Sequence, residues 1–265
     1  VTGLFDAHCH LQDLRLQDRL PEVLFRAGHA GVKRVVCCGT AERDWPAVQA
    51  LSRKYPELIT PAYGLHPWYV RERSPDWLTV LESFLRDKKA GVGEIGLDFA
   101  LAESDRNEQS DVFTAQIELA RRCKRPVSIH CRKAWDRLLE VLEPAGRFEH
   151  GGLVHSYSGT PELIPRLITL GLSFSFSGSV TRTGNRRGVR ALQAVPLEHL
   201  LAETDSPDMP PAGVDGLSEP AHLRSVLKSM SLHLNRTEDD LARITAENAA
   251  RIFGLAGKDS PDGPV

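Results

Sequence analysis

Leu4-Phe5-Asp6-Ala7-His8-Cys9-His10-Leu11 forms the first apolar run of the chain, and the way it ends separates two α/β architectures. A doubly wound open sheet often carries a glycine-rich first turn of the form G-x-G-x-x-G. This run ends instead in His-Cys-His. Residues two apart on a strand face the same side, so His8 and His10 point one way, about 6–7 Å apart. Two imidazoles at that spacing can reach one metal ion.

Working outward, seven further runs follow: Val32–Cys38, Ile59–Leu65, Ala90–Gly93, Pro126–Ile129, Gly152–Val154, Leu172–Phe176 and Leu200–Ala202. Between them lie helical patterns, the first about Arg19 to His29 with Leu20, Val23, Leu24 and Ala27 on one face and Gly28 and Gly31 closing it. The others are Asp44–Lys54, Pro75–Arg86, Gln109–Cys123, Lys133–Leu142, Pro161–Leu170 and Arg187–Gln193, with Ala221–Leu234 and Glu238–Phe253 after the eighth run. Eight strands alternating with helices over some 250 residues predict an α/β fold of the (β/α)8 TIM-barrel type in a single domain.

Such a barrel gathers chemistry at the C-terminal ends of its strands. His8 and His10 end the first run, His66 the third, Glu94 the fourth, His130 the fifth and His155 the sixth; Glu203-Thr204-Asp205 ends the eighth. Five of the ten histidines and the acids thus fall at one end of several strands, far apart in sequence. One strand-end histidine is most simply a satisfied polar cap. The set is different, because imidazoles and carboxylates crowded at one mouth stay undersatisfied without a shared cation. His29, His150, His199, His222 and His233 fall in helices or loops and are expected at the surface.

The chain has 265 residues, 41% hydrophobic and 26% charged, with a net charge of −2 and a mean hydropathy of −0.27. No stretch approaches the roughly 18–20 apolar residues of a membrane span. The near-neutral charge disfavours a wide basic grip on duplex nucleic acid. Five cysteines in no framework spacing point to reduced thiols, and with no basic-then-apolar leader at the start the expected location is cytoplasmic. The polar stretch Gly257–Val265 is expected to be a disordered tail behind a barrel of residues 1–256.

Several of these segments together resemble the TatD family of metal-dependent hydrolases and deoxyribonucleases, within the amidohydrolase-like barrels. Asp6-Ala7-His8-Cys9-His10-Leu11 is similar to its opening D-x-H-x-H, and Gly64-Leu65-His66-Pro67 to its third-strand motif. Gly93-Glu94-Ile95-Gly96-Leu97-Asp98 is the most specific, followed by Gln109, Phe113 and Gln116 at the family's helix spacing. His130-Cys131-Arg132, His155-Ser156-Tyr157-Ser158-Gly159 and Glu203-Thr204-Asp205-Ser206-Pro207 complete the series. The loop Gly216-Leu217-Ser218-Glu219-Pro220 departs from it, lacking the family's frequent Asn before Pro.

The resemblance implies two divalent metal ions, Mg2+, Mn2+ or Zn2+. His8 and His10 would bind one, His130 and His155 the other, and Glu94 would bridge them. Asp205 would ligate the first and move protons, so Asp205 and Glu94 are the candidate catalytic residues. His66 and Arg132 would hold substrate phosphate. The implied activity is that of a deoxyribonuclease or phosphodiesterase using a metal-activated water on DNA ends or single strands, in a monomer without membrane attachment. The alternative on the same barrel is a metal-dependent ester or amide hydrolase, for example of aminoacyl esters.

Other features carry weaker expectations. Arg182, Arg186, Arg187 and Arg190 follow the seventh run, where they would collect a nucleic-acid backbone or form a solvated loop. Trp68 and Tyr69 follow His66, where they would stack on a base or pack against the rim. Cys9 and Cys131 should face away from the ligands and serve packing.

Overall fold

The computed structural model describes residues 3–101 and 105–254. The expected tail Gly257–Val265 and the final residues of the 1–256 domain lie outside the described residues. Eight parallel strands run in sequence order: β1 (Leu4–Cys9), β2 (Val32–Cys38), β3 (Ile59–Tyr63), β4 (Gly91–Asp98), β5 (Val127–Arg132), β6 (Gly152–Val154), β7 (Leu172–Phe176) and β8 (Leu200–Ala202). The ten α-helices of the described residues are α1 (Leu14–Gln17), α2 (Leu20–His29), α3 (Trp45–Lys54), α4 (Trp77–Phe84), α5 (Arg106–Cys123), α6 (Trp135–Ala145), α7 (Ile164–Thr169), α8 (Arg186–Ala194), α9 (Leu223–Leu234) and α10 (Glu238–Ile252).

Nearest-neighbour parallel pairing from β1 to β8 with helical crossovers is the (β/α)8 barrel the sequence predicts. The sheet closes at its C-terminal mouth through the site's own backbone. Asp205 N–H donates to His8 O at 3.0 Å, and His10 N–H donates to Ser206 O at 2.7 Å. A smaller buried cluster draws Phe5, Val36, Ala62, Leu153 and Leu201 from five strands against Ala246 and Ala249 of α10 and the following Phe253. Helix α10, started by Thr237 accepting from Asp240 N–H at 3.1 Å, thereby seals the barrel.

The boundaries shift where glycine breaks the apolar pattern. The fourth run was expected to stop at Gly93, yet β4 continues to Asp98 and carries Glu94 inside it. Gly96 explains the difference: at φ +147°, a Cβ there would fall 1.9 Å from His130 O. Glycine lets β4 lie directly on β5, in register from Ile95↔Ile129 to Asp98↔Arg132. His8 and His130 likewise lie within their strands. The expected helix Pro161–Leu170 starts as a 3-10 turn, Pro161–Leu163, before α7.

Candidate metal centre

The spacing of Gln109 and Gln116 has a structural purpose. The two lie about two turns apart on α5 and reach back to the ends of two strands. Gln109 accepts from Asp98 N–H at 2.9 Å and donates to Asp98 O at 3.2 Å. Gln116 accepts from Leu65 N–H at 2.7 Å and donates to Leu65 O at 3.1 Å. Each amide replaces the strand neighbour that its backbone lacks, and so fixes the chain beside His66 and at Asp98.

Glu94 lies at the centre, 3% exposed, with its two oxygens facing different groups. Oε2 is 3.4 Å from His8 Nε2 and 3.2 Å from His10 Nε2. Those two nitrogens are 3.2 Å apart, and Asp205 Oδ1 lies 3.8 Å from the first and 3.5 Å from the second. Oε1 is 2.8 Å from His155 Nε2, 3.0 Å from His130 Nδ1 and 3.2 Å from His66 Nε2. His130 Nδ1 and His155 Nε2 are themselves 3.2 Å apart. His8, His10, Glu94, His130, His155 and Asp205 therefore all converge, as does His66.

Acceptors behind the rings set which nitrogen faces inward. His10 Nδ1 meets Cys38 O at 2.8 Å, so Nδ1 carries a proton and Nε2 faces the cluster. His130 Nε2 lies 3.3 Å from Asp98 Oδ2, and His155 Nδ1 lies 3.4 Å from Glu203 Oε1. Each rear partner orients its ring in the way that outer-shell groups orient metal-bound imidazoles. His8 Nδ1 pairs with Ser128 Oγ at 2.8 Å.

His66 differs. Its Nδ1 accepts from Trp68 N–H at 3.2 Å, and burial lowers its pKa to about 4, so the ring is neutral with its proton on Nε2. His66 is thus a hydrogen-bond donor toward Glu94 rather than a bare lone pair.

The charge balance tests whether this set suits a cation. No Lys or Arg among the described residues pairs with Glu94, Asp98, Glu203 or Asp205; their ionic neighbours are imidazoles. Burial alone would raise the Glu94 carboxyl, but His155, His66 and hydrogen bonds from His10 and His130 hold it well below the usual range. Burial likewise opposes charge on His10, yet Asp205 and Glu94 push that imidazole well above its usual value. The acids draw protons onto the rings because nothing else there is positive. Oxygen and nitrogen donors gathered around one carboxylate fit a divalent-cation site.

Asp205 sits in the left-handed region at φ 53°, which aspartate tolerates. The turn lets its amide close the barrel while its carboxylate, 13% exposed, faces the mouth. Arg132, at the end of β5, is exposed, and its guanidinium makes no hydrogen bond among the described residues. It joins the mouth without joining the cluster.

Sequence reasoning assigned no role to Asp98, Glu203, Asp6 or Ser128. Asp6 and Ser128 each stand two residues before a cluster histidine, and Glu203 two before Asp205, so the period of the strand was the available signal. Asp6 accepts from Thr204 N–H at 2.9 Å, and burial raises its pKa to about 8. Cys9 and Cys131 are buried packing residues as expected, and Cys9 Sγ donates to Val36 O. Of the histidines expected at the surface, His29 and His150 are exposed, whereas His199, His222 and His233 are half-buried. His222 Nδ1 accepts from Glu219 N–H at 3.0 Å, capping the turn before α9.

That turn explains the departing loop. Glu219 is 7% exposed and takes Arg26 Nε at 2.7 Å and Nη2 at 2.8 Å, pinning the loop after β8 to α2.

Comparison with known proteins gives consistent findings. A family model described as TatD related DNase matches residues 5–254. A 3'-5' ssDNA/RNA exonuclease TatD of Rahnella sp. is 31% identical, covering 91% of this chain and 94% of the relative. An "uncharacterized metal-dependent hydrolase" of Haemophilus influenzae is 30% identical, covering 94% and 98%. Among solved structures, YjjV, a TatD homolog from Escherichia coli K12, superposes with a TM-score of 0.89 at 29% identity, covering 95% of this chain and 98% of that one.

Proposed function

The chain belongs to the TatD related DNase family, and from that membership we propose that its centre hydrolyses phosphodiester bonds at DNA ends or in single strands with the help of two divalent ions. The observation that carries this reading is the division of Glu94, with one oxygen toward His8 and His10 and the other toward His130 and His155. His8, His10, Asp205 and Glu94 would hold one ion, and His130, His155 and Glu94 the other. Mg2+ or Mn2+ suits the carboxylates, and Zn2+ suits the imidazoles. When bound, such ions acidify water and neutralise charge developing on the phosphoryl oxygens.

The protein's own groups do the rest. Asp205, the carboxylate at the mouth, accepts the proton from water as its oxygen attacks phosphorus, and returns it to the leaving oxygen. His66, neutral with Nε2–H directed inward, donates to Glu94 or to a phosphoryl oxygen that enters beside it. Arg132 offers a forked donor pair to the neighbouring phosphate. Among the described residues no helix is long and apolar enough to cross a membrane, and we infer a monomer acting on its own.

The test is hydrolysis of single-stranded DNA, a small phosphodiester, a lactone and an aminoacyl ester by metal-loaded and chelated protein. Metal-dependent cleavage of DNA supports the reading. Turnover of the carbonyl esters alone assigns the centre to ester hydrolysis instead.

A further inference from the structure

Two aromatic side chains among the described residues are at least half exposed. Phe25, on the outer helix α2, rests edge-on against His29. Trp68, 51% exposed, stands at the mouth beside the cluster.

Trp68 is held at three points. Its amide N–H donates to His66 Nδ1 within the 3-10 turn Pro67–Glu72. Its indole Nε1–H donates to Asp98 Oδ2 at 2.8 Å. Its ring meets that of His66 edge-on, with centroids 4.9 Å apart and planes at 88°. Asp98 is itself tied down: Oδ1 accepts from Ala100 N–H at 2.9 Å, and Oδ2 lies 3.3 Å from His130 Nε2. The two residues that locate the indole, His66 and Asp98, thus touch Glu94 and His130, the groups facing the reaction.

An exposed indole that swings freely is a solvated surface residue. This one has its only polar side-chain atom satisfied by Asp98 and its ring in contact with that of His66, while about half of the residue remains exposed. An aromatic face held in this way costs little entropy to use, and every nucleobase presents a π-surface to it. Tyr69, by contrast, is partly buried, with the Arg43 guanidinium 4.5 Å from its ring centroid.

We propose that Trp68 is the stacking platform for the base next to the scissile phosphodiester, making the enzyme selective for strand ends that carry a base over abasic ones. This rests on the phosphodiesterase reading above. Asp98 acts here as the positioning residue that sets the indole plane relative to His130.

The experiment compares kcat/KM of the metal-loaded protein on a single-stranded oligodeoxynucleotide and on the same strand with a tetrahydrofuran abasic residue at each end. Wild type should favour the base-bearing strand by roughly tenfold or more, mainly through KM. Trp68→Leu, which keeps apolar bulk, and Trp68→Ala should bring the ratio close to one, with thermal melting to identify any misfolded variant. Trp68→Phe, which keeps a ring but loses the bond to Asp98, should retain only part of the preference, between wild type and Trp68→Leu. Equal rates on the two strands with wild type, or an unchanged ratio in a folded Trp68→Leu, overturn the platform alone. Cleavage of neither strand alongside turnover of a carbonyl ester removes the nuclease reading, and the platform with it.

Discussion

Glu203 Oε1 and His155 Nδ1 lie 3.4 Å apart in the barrel interior, and neither completes a hydrogen bond with any other group. The other Glu203 oxygen accepts from Ser175 Oγ, so the carboxylate is anchored on β7 while it faces the ring. His155 Nε2 points the opposite way, toward Glu94. A cation on Nε2 makes Nδ1–H a better donor and tightens this pair. Glu203→Gln should keep the fold and lower metal affinity by about 10–100-fold. Calorimetric titration with Mn2+ or Zn2+ checks it, and an unchanged affinity would separate Glu203 from the centre.

The convergence on Glu94 makes two substitutions diagnostic. Glu94→Ala removes the one carboxylate shared by both groups, and His130→Ala strips one group only. Both should lose on the order of 10²-fold or more in DNA hydrolysis, with Glu94→Ala also losing bound metal from both positions. Metal analysis of the purified variants alongside their rates distinguishes the two. Full activity in both would place the reaction elsewhere.

Much of this was legible because a parallel barrel turns sequence separation into proximity by rule. Eight runs in order fix which ends meet, so His8, Glu94, His130, His155 and Asp205, read at the ends of the expected runs, come together at one mouth. What escaped were partners that lie behind those residues. Asp98 and Glu203 look like further acids in a polar stretch until the strands bring them against His130 and His155. The extent of β4 was hidden by Gly93 and Gly96, which interrupt the apolar pattern and yet let two backbones touch. The standing of His66 was hidden too: its Nδ1 is taken by the turn that follows it, a local backbone fact that spacing does not report.

The arginines after β7 should govern substrate capture rather than chemistry. Arg186, Arg187 and Arg190 are exposed on α8 or at its start, and Arg182 reaches Pro210 O at 3.5 Å. Replacing the four by glutamine should raise KM for single-stranded DNA and spare a small phosphodiester. The slope of log KM against log salt should flatten by up to about 3. Equal losses on both substrates would instead point to a damaged fold.

Glu219 gives the loop after β8 a pH-dependent hold. Burial raises its carboxyl, but the Arg26 and Arg19 guanidinium groups outweigh that and lower it below its ordinary 4.5. A depressed carboxylate stabilises the fold above its unfolded value, and the contribution disappears as pH falls through the folded value. Glu219→Gln should therefore lower Tm by a few degrees at pH 7 and have little effect near pH 3. Paired thermal melts at the two values measure this, and a difference that is the same at both would contradict an ionic origin.

We propose that one buried glutamate, Glu94, joins two metal positions. Anomalous diffraction from crystals grown with Mn2+ tests it most directly. Two peaks flanking Glu94 are expected, one against His8, His10 and Asp205 and the other against His130 and His155. Peaks that avoid Glu94, or none at all at saturating metal, would contradict it.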